Sequence, residues 1–466
     1  MPARHRPGLH DRAAPVGAGR QLGEPVMGAT RRTALAVALA AGAALATAPA
    51  ALAGTIVVNS ALDGPVSESG ILACESGRDS CTLRDAVAAA EALADDTQIT
   101  FATALSGATI ALNSGVLQFT SPLSIVGPGA TALTIDGTAN GNGIFATSAS
   151  SFAISGVTLQ NGTAPDTPLG KQGGGAIRQT AGTLTVTNVT FLGNASGGGN
   201  DGGAIYAGGD AVTVSGSTFS GNSASGGIES TAGGAVYLDS GTLSVSDSLF
   251  LANSGVDGGG AIAADGGAVT IDGSTFNDNT ATSGGGAIEL SSGTLTVTSS
   301  QFGGNSADGA GAISAGVGPV TISGSQVSGN ASTSDVGGID ASDSSDSVTL
   351  DLSTTLVENN TGAVVGGVYA NAGWLTNVIV TGNLATASAY DCQTDPHGGC
   401  AGGIRLLGGG VSGSTVEDNS TSAQDTLSAA GDCIAASTVA FGAGNVLGTP
   451  CLAPATVGWG QATSTR

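Results

Sequence analysis

The sequence predicts an all-β fold: a right-handed, single-stranded parallel β-helix, closed at its N-terminal end by a cap containing one short helix. Three observations carry this expectation. Glycine accounts for 79 of 466 residues, while aromatics make up 3% and charged residues 10%, a composition foreign to a compact globular core. A Gly-Gly-Ala-Ile/Val element recurs along the chain, and an apolar-x-x-Asn element follows each copy. Between the two lie short alternating strands, and no segment with helical spacing occurs in the repeats. Disorder is excluded, because Val, Ile and Leu recur regularly. A solenoid grows along one axis, so this length does not require several globular domains.

The N-terminal residues have the form of an export signal. Arg31 and Arg32 precede the apolar run Ala34 to Ala46, and Ala51-Leu52-Ala53 supplies a small-x-small cleavage site before Gly54. The run is too short and too rich in alanine for a membrane span. Residues 1–26, rich in Arg and Pro, lie ahead of Met27, where such a signal would begin. The expected organisation is an upstream segment with signal peptide at 1–53, an N-terminal cap at 54–100, a β-helix at 101–420 and a C-terminal cap or tail at 421–466.

Removing residues 1–53 leaves 6 basic and 33 acidic residues, a net charge of −27. Such a surface repels nucleic acid and anionic membranes, whereas calcium or a cationic surface is easier to accommodate. The expectation is an exported monomer, extracellular or associated with the cell surface or outer membrane, with no transmembrane segment in its mature part. All six cysteines follow the signal, and an even count in an exported chain reads as disulfides. The sequence-adjacent pairing Cys74–Cys81, Cys392–Cys400 and Cys433–Cys451 is the simplest of fifteen. Zinc is the rival, but the mature chain offers a single histidine, His397.

The repeats define a register. Gly-Gly-Ala elements end at Ile177, Ile205, Val236, Ile262, Ile288 and Ile313, spaced 28, 31, 26, 26 and 25 residues apart, with weaker copies at Ile339, Val368 and Ile404. The second element appears as Phe191/Asn194, Phe219/Asn222, Phe250/Asn253, Phe276/Asn279 and Phe302/Asn305, then with valine at Val327/Asn330, Val357/Asn360, Val380/Asn383 and Val416/Asn419. Stacked copies would align the phenylalanines inside the bore and the asparagines as a corner ladder, with each Gly-Gly pair at a corner where a Cβ would strike the next coil. Upstream, Leu83 to Leu93 is the one stretch with helical spacing, placing Leu83, Val87, Ala90 and Leu93 on one side. An amphipathic helix beside a disulfide suits a cap, which keeps the open strand edges of a solenoid end from pairing with other chains. Arg84 and Asp85 are read as capping or helix-start residues.

Gly-Gly-Ala-Ile paired with Phe-x-x-Asn resembles the repeats of polymorphic outer-membrane proteins, within the pectate-lyase-like β-helix class, over about half the chain. Cys81-Thr82-Leu83-Arg84-Asp85-Ala86 is similar to the Cys-Ser-Leu-Arg-Glu-Ala signature domain of secreted bacterial repeat proteins. Outer-membrane members of that family carry a C-terminal barrel. Here the stretch after the last repeat, Thr421 to Arg466, is too short for one.

If the Ile or Val after Gly-Gly-Ala points inward, the next residue points outward. That column reads Arg178, Tyr206, Tyr237, Ala263, Glu289, Ser314, Asp340, Tyr369 and Arg405, with Asp239 and Asp265 two positions further on in adjacent coils. Rings flanked by acids suit carbohydrate. Asp239 and Asp265 would also suit a shared calcium ion or a pair of glycosidase carboxylates. The plainer reading is a set of solvated acids beside a cross-strand tyrosine pair. Lyase chemistry needs a base beside acidic calcium ligands, and the repeats offer only Lys171, Arg178 and Arg405. Two functions therefore stand: a non-enzymatic surface protein, adhesive or binding a carbohydrate or cell-surface ligand without a cofactor, or a polysaccharide-active lyase or hydrolase on the same scaffold with Asp239 and Asp265 as its acids.

Overall fold

The structure is a computed structural model that describes residues 54–448, apart from 79, 139–140, 165–172, 199–200, 227–231, 343–346, 388–399, 423–428, 431 and 436–438. Residues 1–53, Lys171, Cys392, His397 and Cys451 lie outside the described residues. Each full coil contributes one strand to each of four parallel sheets. Among the described residues, sheet 1 has 12 strands, such as Ile177–Gln179; sheet 2 has 14, such as Thr183–Thr187; sheet 3 has 13, such as Thr190–Leu192; and sheet 4 has 10, such as Ala195–Ser196. Neighbours within a sheet are equivalent strands of successive coils, paired in parallel without slippage: Ile177 meets Ile205, Leu184 meets Val212 and Phe191 meets Phe219.

This register follows from the repeat. Alternating residues of each strand fill the bore, so a one-residue slip would turn every apolar side chain outward. Phe191, Phe219, Phe250, Phe276 and Phe302 are fully buried and stack with ring centroids 4.5–4.9 Å apart and nearly parallel planes. That spacing is the inter-strand distance itself, so the backbone repeat sets the ring contact.

The asparagine column is a continuous hydrogen-bonded ladder. In each coil the backbone N–H and Nδ2 of one asparagine both donate to Oδ1 of the next, as in Asn222 to Asn253 at 3.0 and 2.9 Å, while Nδ2 also reaches the carbonyl of Phe191 at 3.1 Å. The ladder runs from Asn194 to Asn419 and ends on Asp432, which accepts from Asn419. A second ladder was not foreseen in the sequence. At the corner before sheet 3, Ser217 Oγ donates to its own i−2 carbonyl and accepts the backbone N–H of Val189, and Ser248, Ser274, Ser300 and Ser325 repeat the arrangement. Both ladders satisfy buried corner amides that the strands leave unpaired. The Gly-Gly pairs behave as expected: a Cβ on Gly234 or Gly260 would lie 2.0 Å from the carbonyl oxygen of the next coil.

The N-terminal end differs from expectation in having two helices, α1 (Glu68–Ser76) and α2 (Leu83–Leu93). The expected helix has the predicted bounds, although its last leucine is half exposed. The sequence hides α1 because its segment carries serine and glycine and lacks a clear apolar face. Gly70 lets it dock: a Cβ there would fall 2.3 Å from the Asp85 carboxylate. Strand Gly54–Val58 already pairs with Thr97–Phe101 in sheet 2, so the helices are an insertion between the first two coils.

The residues of the Cys81–Ala86 motif all serve this cap. Cys81 is disulfide-bonded to Cys74. Thr82 is the N-cap of α2: its Oγ accepts the Asp85 N–H and donates to Asp85 Oδ2, while Oδ1 of Asp85 accepts the N–H of Ser67, which starts α1. Leu83 and Ala86 are buried. Arg84 grips both oxygens of Asp63, at 2.7 and 3.1 Å, and donates to the carbonyls of Gly115 and Val116. Burial pushes the Asp63 carboxyl up, but the bonds from Arg84, Asn113 and Ser114 and the guanidinium charge outweigh it, and its pKa ends below the ordinary value. At the other end, Cys400 and Cys433 are each engaged in a disulfide as well.

Candidate functional site

The structure brings the predicted column together in the predicted register. Arg178 pairs with Tyr206, Tyr206 with Tyr237, Tyr237 with Ala263 and Ala263 with Glu289; Ser314, Asp340, Tyr369 and Arg405 follow in step. These side chains point away from the bore, but none is exposed: Tyr206, Tyr237, Ala263, Tyr369 and Arg405 are buried, and Arg178, Glu289, Ser314 and Asp340 are half-buried. Tyr237 is 0% exposed, Tyr206 5% and Arg405 1%. The expectation of an open flank is corrected here, and the cause is the glycine of each incoming corner. A Cβ on Gly233 would lie 1.9 Å from the carbonyl of Val236, and one on Gly285 the same distance from that of Ile288. The loop backbone therefore lies directly on the outer face of sheet 1. Farther along, these loops pair with one another, through Gly285, Ala310, Val336, Val365 and Ala401, into a roof over the column.

Under the roof the column is a narrow second core. Tyr206 and Tyr237 stack at 5.7 Å. Burial raises the pKa of both, with Asp239 next for Tyr206, which is pushed up to about 12, and the Asp265 hydrogen bond next for Tyr237. The Tyr237 hydroxyl donates to Asp265 Oδ2 at 2.6 Å. The Ser291 hydroxyl donates more weakly to Oδ1, and Ser292 to the Asp265 carbonyl. Asp265 is thus half-buried and held, while Asp239 in the preceding coil is exposed.

Glu289 and Asp340 lie two coils apart under the same roof. Burial pushes each carboxyl up to about 7, against hydrogen bonds from Ser314 and the Gly285 amide for Glu289 and from Ser342 for Asp340. Asp265 adds to the shift of Glu289, and Asp335 to that of Asp340. At the far end the Arg405 guanidinium sits over the Tyr369 ring, 4.8 Å from its centroid. The near end opens into a cavity of about 210 Å3 lined by Gln118, Ala146, Gly174 and Arg178. Among the described residues no group of three or more His, Cys, Asp or Glu could hold a metal ion.

The outer face of sheet 2 is different. Among the described residues no loop covers it, and its central column runs in register through Thr185, Thr213, Ser244, Thr270, Thr296 and Thr321 to Asp351 and Trp374. The members of this column are exposed or half-buried, and Trp374 is 58% exposed. The alternation of the five-residue strands already announced these outward hydroxyls.

Among the described residues no helix is long and apolar enough to cross a membrane. No curated protein and no solved structure matches the chain. A family model, the right-handed β-helix region, matches residues 129–276 and 233–421, which together span more than half of it. With parallel coils from Gly54 onward and this match across the repeats, the chain belongs to the right-handed β-helix family.

Proposed function

We propose that the chain is an exported protein, held at the cell surface or released, that binds carbohydrate or another surface ligand along its flank without turning it over. The observation that carries this reading is the outer face of sheet 2: an uncovered, regularly spaced array of hydroxyls on a stiff support. A rigid row of donors and acceptors loses little conformational freedom when it meets an extended ligand. The likeness of its repeats to polymorphic outer-membrane proteins, its signature-like cap motif and its signal-type N-terminus all favour export. The acidic charge of the mature part favours neutral or cationic ligands over nucleic acid.

The test is retention of the purified mature protein on a panel of insoluble polysaccharides. Specific retention is expected, weakened when Thr270 and Thr296 are both replaced by glutamate. Passage through every matrix unretained would refute the reading. A second reading, a polysaccharide-active enzyme, has one observation in its favour: exposed Asp239 and half-buried Asp265 lie on adjacent coils beside Tyr237. In that reading the two acids would act as a carboxylate pair or share a calcium ion.

A further inference from the structure

Trp374 stands where the hydroxyl column of sheet 2 gives way to an aromatic ring, and its surroundings set how that ring lies. Its neighbours in register are Asp351 in the coil before and Gly410 in the coil after. A Cβ on Gly410 would fall 2.8 Å from Trp374 Cζ3 and 3.0 Å from Cε3, so the six-membered ring rests on the bare glycine backbone. Gly410 is buried by this contact, while Trp374 keeps 58% of its surface in solvent. The ring is thus laid along the sheet with one side supported and the rest open. Asp351 is exposed on one side of it, and the Thr376 and Ser412 hydroxyls, 3.5 Å apart, lie two positions further along the strands.

We infer that Trp374, Asp351, Thr376 and Ser412 form a sugar-stacking subsite for a neutral, all-equatorial pyranose within a longer oligosaccharide. The inference rests on the binding function proposed above and names where and what it binds. A supported indole offers a flat apolar surface, which suits the C–H face of a pyranose free of axial hydroxyls. A carboxylate and two hydroxyls at the ring's edge supply partners for equatorial hydroxyls. The net charge of the mature part, −27, disfavours sulfated or uronic polymers. The uncovered hydroxyl column leading to Trp374 gives room for the rest of the chain of sugars.

Fluorescence provides the test, because the protein has two tryptophans and Trp459 can be replaced. In the full mature chain carrying W459F, titration with cellohexaose should give a saturable change in Trp374 emission, and a sulfated oligosaccharide should give none. By calorimetry, Trp374→Ala should weaken cellohexaose binding at least tenfold and Asp351→Asn several-fold, with circular dichroism unchanged. The absence of a saturable cellohexaose signal, or a Trp374→Ala variant that binds like the parent, would overturn the subsite. If the parent and Trp374→Ala are retained equally on an insoluble polysaccharide, the subsite fails and the binding function stands. If neither is retained, both fail.

Discussion

Asn279 donates its backbone N–H and its side-chain amide to a single oxygen, Oδ1 of Asn305 in the next coil, at 3.0 and 2.9 Å. Asn305 in turn donates to Asn330 and to the carbonyl of Phe276. One buried side chain therefore serves three coils. Replacing Asn305 with alanine strands two buried donors and should cost on the order of 2–5 kcal/mol. Aspartate keeps the acceptor but loses the amide donors and buries a charge, so Asn305→Asp should be at least as damaging. Urea unfolding of the two variants checks this; midpoints within error of the parent would show that the ladder is dispensable.

The aromatic stack makes a second prediction. Phe250 and Phe276 lie 4.6 Å apart inside the bore, with each ring also contacting the next one along the stack. Phe250→Ala should lose about 3–5 kcal/mol, from lost burial and the cavity left behind. Phe250→Leu should lose less, since leucine already fills the equivalent place at Leu159. Thermal melts of both variants give the ranking.

The roofed acids predict a pH dependence. Unfolded, Glu289 and Asp340 ionise near their ordinary values of 4.5 and 3.8; folded, both hold their protons to about 7. The folded state therefore binds more protons across that window, and stability falls as pH rises from about 4 to about 7. The penalty is complete above pH 7 and absent below the unfolded values. Glu289→Gln and Asp340→Asn should flatten this part of the Tm-against-pH curve and raise Tm at pH 8. Unchanged curves would mean that neither carboxyl is shifted.

The cap predicts a change of state rather than of stability alone. Arg84→Ala removes the grip on Asp63 and on two carbonyls, loosening the helices that shield the first coil. Exposed strand edges then pair between molecules. Light scattering should show the variant associating at concentrations where the parent is a single species. Reduction of Cys74–Cys81 should act in the same direction.

The interior of this fold was legible in the sequence and its exterior was not. Phe191 to Phe302 and Asn194 to Asn419 recur at fixed places because each must meet its own copy 4.5–4.9 Å away, and that demand leaves a visible period. The Arg178–Arg405 column was read in correct register for the same reason. What covers it is loop backbone laid over the column at each incoming corner, where the regular Gly-Gly pairs, such as those beginning at Gly259 and Gly285, read equally well as contacts with the next coil alone. Nothing in the sequence therefore distinguished an outward side chain from a solvated one. Helix α1 was missed because docking on Asp85 requires a glycine, which weakens the helical signal. The Ser217–Ser325 ladder sat unnoticed among many surface serines of identical appearance.

In the proposed function the flank binds its ligand and does not transform it. The most direct measurement is prolonged incubation of the mature protein with the polysaccharides that retain it, with and without calcium, following new reducing ends and unsaturated products. Binding without either product is the predicted result. Product formation that Asp239→Asn or Asp265→Asn abolishes would contradict it and establish the paired acids as catalytic.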